Sequence, residues 1–179
     1  FMCGEWEFAR HLALLFALYH RHSYTGCKPA ITDILCGAAA LIAECNNIER
    51  ETHVRDKLSK YIGISELVYA SGIASAHHAI QSPSGTYIPD PVYVNAGRRL
   101  AGENIYHEYE ILADLAGGLA CTLPFEADFY NEETGPLLNK YIMRNPELSS
   151  EYVHRAFRLV ENILASELTG VNQVAGVHG

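Results

Sequence analysis

Strand-like alternation of apolar and polar residues is almost missing from this chain, and so is any surplus of positive charge. Without a period of two there is little from which to build a half-buried sheet. Lys and Arg number 13 against 21 Asp and Glu, a formal net charge of −8. No basic stripe exists to displace counterions from phosphates, which argues against nucleic acid as the main partner. No Gly-x-Gly-x-x-Gly follows a strand, and neither a Gly-x-Ser-x-Gly elbow nor a P-loop occurs. These absences weigh against a Rossmann site, an α/β-hydrolase and a P-loop nucleotide enzyme. Apolar runs are interrupted by charges or histidine, so no bilayer-spanning segment and no membrane association are expected. No leader segment is expected either. Internal repeats and low-complexity segments are absent. The five cysteines are odd in number and irregularly spaced, in a chain too long to need disulfide staples. A reducing, cytoplasmic setting with free or metal-bound thiols is expected.

What is present is apolar and helical. Of 179 residues, 49% are apolar and 19% charged, enough for one domain with a substantial core. Phe8, Leu12, Leu15, Phe16 and Tyr19 recur at spacings of three and four, predicting a helix from about Glu5 to His22 with one apolar face. Thr25-Gly26 reads as a break, and Pro29 suits the first turn of a second helix running to Asn46-Asn47. A third helix is expected from about Arg50 to Ile80, with Leu58, Ile62, Val68 and Ile73 inward. Ser82-Pro83-Ser84-Gly85-Thr86 ends it. Pro89-Asp90-Pro91 leads into a fourth helix, roughly Val92 to Leu115. A loop through Phe125 to Gly135, a short helix near Pro136 to Met143 and a last helix from about Ser150 to Leu168 follow, the last capped at Ser149-Ser150. The expected fold class is all-α, an antiparallel bundle of long helices with short links.

Two histidines, two tyrosines, a thiol and a lysine are crowded into Tyr19-His20-Arg21-His22-Ser23-Tyr24-Thr25-Gly26-Cys27-Lys28-Pro29. His20 and Cys27 are seven residues apart. On a continuous helix they share a face but lie about 10.5 Å apart along the axis. One metal ion, with bonds to N and S of about 2.0–2.3 Å, does not span that gap. Either Thr25-Gly26 bends the chain, or the bound object is larger than one ion. A multi-iron cluster is such an object, with thiolates as its usual ligands and histidine as a known substitute. The same residues also suit a purely structural role: solvated histidines at a helix end, a core-edge tyrosine and a buried thiol.

Other candidates carry less. Cys3, Cys36 and Cys45 form no ligand motif, and Cys36 and Cys45 suit packing. His77-His78 point about 100° apart on a helix and suit packing or surface roles. Glu103, His107 and Glu110 follow helical spacing, but the paired Glu-x-x-His motifs of a di-metal bundle are missing, leaving a solvated face. Gly117-Gly118 reads either as a helix C-cap or as backbone open to a cofactor phosphate.

Phe1-Met2-Cys3-Gly4-Glu5-Trp6-Glu7-Phe8, the His20 to Lys28 segment, Pro89-Asp90-Pro91-Val92, Asp114-Leu115-Ala116-Gly117-Gly118 with Thr122-Leu123-Pro124, and Val160-Glu161-Asn162 together resemble a known group. It is the dehydratase branch, acting on 4-hydroxybutyryl-CoA, of the flavin-dependent 4-hydroxyphenylacetate 3-hydroxylase superfamily. The resemblance covers essentially the whole chain, and its specific part is His20 with Cys27. It implies a C-terminal helical bundle like that of acyl-CoA dehydrogenases. It implies FAD and a [4Fe-4S] cluster held by three cysteines and one histidine. His20 and Cys27 match two of those ligands, and the other two are expected in an N-terminal domain of the same enzyme or in a companion chain. The chain is accordingly expected to be a fragment, inactive alone, of a homo-oligomeric enzyme. Tyr24 matches a tyrosine near the acyl-CoA substrate and Lys28 a lysine beside the cluster, so that both join His20 as expected catalytic residues, and Gly117 and Gly118 match a flavin contact. The implied reaction is dehydration of 4-hydroxybutyryl-CoA to crotonyl-CoA, with isomerisation of vinylacetyl-CoA. His20 is expected to bond iron and to double as a base. The branch also places a carboxylate near the C-terminal His-Gly, where Val174-Ala175-Gly176-Val177 offers none, and Glu161 and Glu167 do not match it. Two other readings remain: the oxygenase component of an aromatic hydroxylase, using reduced flavin without a cluster, and a non-catalytic helical interaction domain.

Overall fold

The computed structural model describes residues 3–177. Its first helix, α1, runs unbroken over Trp6–Cys45, 40 residues, through the segment expected to break it. Gly26 is not among the glycines with positive φ. Pro29 removes only the amide that would serve the Thr25 carbonyl. Thr25, Lys28 and Pro29 are all buried, so packing on both sides of the supposed break overrides its local signals. The two helices read from the sequence are therefore one.

Continuity changes what α1 buries. Its buried residues begin at Tyr24 and continue through Thr25, Lys28, Thr32, Leu35, Ala39 and Ile42. The apolar face read around Phe8, Leu12 and Phe16 lies outside the bundle, with Phe16 69% exposed. Joined in this way, α1 also offers an 18-residue window of mean hydropathy 1.4, apolar enough by composition to cross a bilayer, with 44% of it buried inside the fold. The sequence reading of interrupted runs missed this length. Core helices of globular domains meet the same measure.

Helix α2, Thr52–His77, follows a short link, and α3, Pro91–Ala116, follows a hairpin of two-residue strands, β1 (Ile80–Gln81) and β2 (Tyr87–Ile88). The hairpin pairs Ile80 with Ile88 and Gln81 with Tyr87, antiparallel. It takes the place of the last turn expected of the third helix. The inward face of α2 is Val54, Tyr61, Ser65, Val68 and Gly72. Ile62 and Ile73, expected inside, are more than half exposed. Helix α3 starts as its sequence suggests: Pro91 occupies the first turn, and the Asp90 carboxylate accepts from the amides of Val92 and Tyr93 at 2.8 and 3.2 Å.

Helices α1, α2 and α3 pack against one another, and α6 (Ser150–Ala165) closes the side of α1 and α3. Two short helices, α4 (Glu126–Phe129) and α5 (Gly135–Tyr141), precede α6. Ser149 caps α6 by accepting from the Tyr152 amide. The expected last helix divides at Ser166, beyond which α7 (Glu167–Val177) packs on α3. The main core gathers Leu35, Ile42, Tyr61, Ile105, Leu112 and Phe157. A smaller cluster of Tyr24, Val68 and Ala101 lies apart from it. The all-α reading holds.

Close approach near Tyr24 depends on small residues. A Cβ at Gly97 of α3 would lie 2.9 Å from Ser71 Cβ, closer still to Ser71 Oγ, and 3.2 Å from Thr25 Cγ2. A Cβ at Gly63 of α2 would meet nothing within 4 Å. Gly97→Ala should destabilise by about 1–2 kcal/mol, overpacking exceeding the gain in helix propensity. Gly63→Ala should stabilise by roughly 0.5–1 kcal/mol. Thermal denaturation checks both, at roughly 2–4 °C per kcal/mol; equal effects at the two glycines would contradict this packing.

Candidate functional site

The unbroken α1 decides the geometry of the ligand-bearing segment. His20 and Cys27 stand on one helical face, displaced by about 20° in rotation and two turns along the axis. His20 is half-buried and Cys27 exposed. The His20 ring stacks on Phe16, centroids 5.7 Å apart at 24°. The Cys27 thiol reaches back to the Tyr24 carbonyl at 3.6 Å. With the helix unbroken, the chain reversal at Thr25-Gly26 that would gather both donors on one ion is absent. Among the described residues, no group of three or more His, Cys, Asp or Glu is placed to hold a metal ion. The pair suits a body larger than one ion that draws further ligands from elsewhere.

Behind this face lies a buried polar assembly. Lys28 Nζ donates to Glu108 Oε2 at 2.7 Å and to Thr32 Oγ1 at 2.8 Å. Thr32 Oγ1 lies 3.1 Å from the same carboxylate oxygen. Both side chains of the ion pair are 0% exposed. The Tyr61 hydroxyl, from α2, donates to the Glu108 carbonyl at 2.5 Å. Burial pulls the Lys28 ammonium below its ordinary range and pushes the Glu108 carboxyl above its own, against their mutual attraction. Removal from water thus works against the Coulombic contact of this pair. Glu108 Oε1 is buried with no hydrogen-bond partner among the described residues.

Tyr24 is 2% exposed, packed on Val68 and Ala101 with the Arg98 guanidinium 5.7 Å from its ring. Burial pushes its phenol up to about 12, partly opposed by Arg98. It is a closed, neutral phenol at physiological pH. The structure thus brings His20 and Cys27 to one face, and sets Tyr24 and Lys28 in the wall behind it.

The second glycine site lies at the far end of α3. Gly117 caps that helix at φ 62°, a conformation that favours glycine. A Cβ on Gly117 or Gly118 would meet nothing within 4 Å, and both residues are exposed. Gly117 is needed for the turn. Nothing in the chain requires glycine at Gly118, and its backbone is open to a group from outside. The remaining candidates have local explanations. His78 stacks on Tyr93, His107 pairs with Glu110 at 3.0 Å, and Glu103 pairs with Arg99. Cys45 is buried, Cys36 half-buried, and Cys3 and Cys121 exposed.

Sequence reasoning passed over Glu108, Thr32 and Tyr61. The signal was there for Glu108: Ala101, Ile105, Glu108, Leu112 and Leu115 form the buried stripe of α3, so an acid stands where the period demands an apolar residue.

The 4-hydroxyphenylacetate 3-hydroxylase C-terminal family model matches residues 9–179. The chain belongs to this family. It is 34% identical, over its whole length, to 4-hydroxybutyryl-CoA dehydratase/vinylacetyl-CoA-Δ-isomerase of Clostridium aminobutyricum, of which it spans 38%. It is 29% identical over 79% of its length to the oxygenase component of 4-hydroxyphenylacetate 3-monooxygenase of Thermus thermophilus, spanning 30% of that protein. Among solved structures, an oxygen-tolerant archaeal 4-hydroxybutyryl-CoA dehydratase from N. maritimus superposes with a TM-score of 0.88 and 36% identity, over 98% of this chain and 35% of that one. The oxygenase component of a 4-hydroxyphenylacetate 3-monooxygenase complexed with FAD superposes with a TM-score of 0.80 and 25% identity, over 90% of this chain and 34% of that one. This chain thus spans 30–38% of the length of these relatives.

A raised phenol contributes stability that is complete below the ordinary value of 10 and is lost as pH climbs through about 12. In an alkaline titration followed by phenolate absorbance, Tyr24→Phe should remove amplitude only above the ordinary phenol range. Loss of amplitude near pH 10 would show that Tyr24 is open to solvent.

Proposed function

We propose that this chain is the C-terminal domain of a 4-hydroxybutyryl-CoA dehydratase that also isomerises vinylacetyl-CoA, and that it carries half of the ligands of a [4Fe-4S] cluster beside FAD. The observation that carries the reading is one outward face of α1 with His20 and Cys27 two turns apart, in a chain 34% identical over its full length to such a dehydratase. The donor set fits the group in part: one imidazole and one thiol accessible on that face, with the cluster's remaining ligands to come from outside these residues.

His20 and Cys27 would hold iron. When bound, the cluster and flavin would supply Lewis-acid activation of the leaving hydroxyl and one-electron activation of an otherwise inert C–H bond. The chain's own residues do the remaining work in this proposal. Phe16 stacks on the His20 ring and restrains its plane. His20 would take a substrate proton through its imidazole. Tyr24, held neutral by burial, keeps a hydrogen-bond donor in the wall of the site. The open backbone at Gly117-Gly118 would meet FAD. The departure at Val174-Ala175-Gly176-Val177 would leave the carboxylate expected near the C-terminal His-Gly to a residue outside that stretch. Of the nearby acids, Glu161 is ion-paired with Arg158.

Anaerobically prepared full-length protein should contain iron and sulfide with FAD. His20→Gln should abolish dehydration of 4-hydroxybutyryl-CoA, and the 179-residue chain alone should turn over nothing. Full activity in His20→Gln would end the assignment of that residue. A protein with FAD and no iron would instead be a flavin hydroxylase, as in the oxygenase relatives, and one with neither would be an interaction domain.

A further inference from the structure

Stability alone does not account for the buried pair of Lys28 and Glu108. Buried ion pairs are commonly replaceable by apolar residues of similar volume at no loss, and often at a gain, in stability. This pair carries an added penalty, since Glu108 Oε1 is buried without a donor. An apolar stripe through Glu108 would complete the α3 face formed by Ala101, Ile105 and Leu112. What the pair does supply is direction. Lys28 follows Cys27 on α1, and its Nζ is fixed between an acid of α3 and a hydroxyl one turn further along α1. Tyr61 grips the Glu108 backbone from α2. The turn that projects Cys27 outward is thereby tied to both neighbouring helices. Lys28 is fully buried with its ammonium already engaged, so it is placed to act through the backbone of Cys27 rather than by touching a substrate.

We propose that Glu108 is a positioning residue: it holds Lys28, and through Lys28 it sets the orientation of the Cys27 side of the cluster half-site. The role assigned to Cys27 rests on the dehydratase reading; the mechanical link from Glu108 to Cys27 does not.

The test compares the full-length wild-type protein with Lys28→Met, Glu108→Gln and the double variant Lys28→Met/Glu108→Met. Each single variant should lose thermal stability, because each leaves one buried polar partner uncompensated. The double variant should regain a melting temperature at or above that of the wild type. Three readouts follow in the double variant: iron per chain after loading with iron and sulfide, the spin-resonance spectrum of the reduced protein, and, in metal-free protein, the alkylation rate of Cys27 relative to exposed Cys121. A loss of at least half of the bound iron or a changed spectrum is expected, with the relative Cys27 rate altered by roughly threefold or more. A double variant with wild-type stability, iron, spectrum and Cys27 reactivity would overturn the proposal, since the pair would then be packing only. If wild-type protein takes up no iron, the cluster reading fails by itself. The alkylation ratio still decides the positioning role: a change upholds it, and an unchanged ratio rejects it.

Discussion

The contact between the Lys28 ammonium and the Glu108 carboxylate, 2.7 Å apart and fully closed to solvent, is the constraint around which this domain is arranged. Two charges in a dry interior tolerate little displacement, because any gap exposes one of them to a medium that solvates it poorly. The three long helices must therefore meet in one register. Lys28 and Thr32 come from α1, Glu108 from α3, and Tyr61 from α2 closes on the Glu108 carbonyl. The apolar layers on either side could slide by a methyl group at modest cost. The polar contact cannot, and it lies one residue from Cys27. A constraint that fixes register is most useful where the position of a neighbouring atom matters.

The small-residue contact beside Tyr24 extends that logic. Thr25 of α1, Gly72 and Ser71 of α2 and Gly97 of α3 let the helices approach more closely than ordinary side chains permit. The close approach seals Tyr24 and removes water from the wall behind the ligand face. Low local polarity then raises the Tyr24 phenol and the Glu108 carboxyl and lowers the Lys28 ammonium, each towards its neutral form. Outward exposure of Cys27 and dryness behind it are two results of the same packing.

Much of this was legible in the sequence. Period-three and period-four spacing marked the helical class, Asp90-Pro91 and Ser149 marked two helix starts, and the crowding of donors between Tyr19 and Lys28 marked the candidate site. The errors share a cause. Thr25-Gly26 with Pro29 are breakers in isolation, and the burial of Thr25 and Pro29 in the bundle offsets those local signals. The apolar residues Phe8, Leu12 and Phe16 have the right period but no cover within the described residues, because periodicity reports an apolar face and not what lies against it. Ile62 and Ile73 were read inward for their chemistry, while Tyr61, Ser65 and Gly72 occupy that face because they fit the polar anchor and the close crossing. Glu108 interrupts the apolar period of α3, but its partner was not legible because it lies 80 positions away in sequence.

Continuity of α1 also bears on the chemistry. A kinked segment would have offered His20 and Cys27 to a single ion, and the domain could then have been a self-contained metal site. An unbroken one sets the two residues about 10.5 Å apart along its axis, well beyond metal bonds of about 2 Å. A body held by both donors, as proposed, would need extent of its own and further ligands from beyond this face. A polynuclear cluster meets both requirements, and a domain spanning about a third of its relatives' length is what a shared ligand set would look like from one side. Continuity of the helix, and not the identity of the two donors alone, is what the proposed cluster reading draws on.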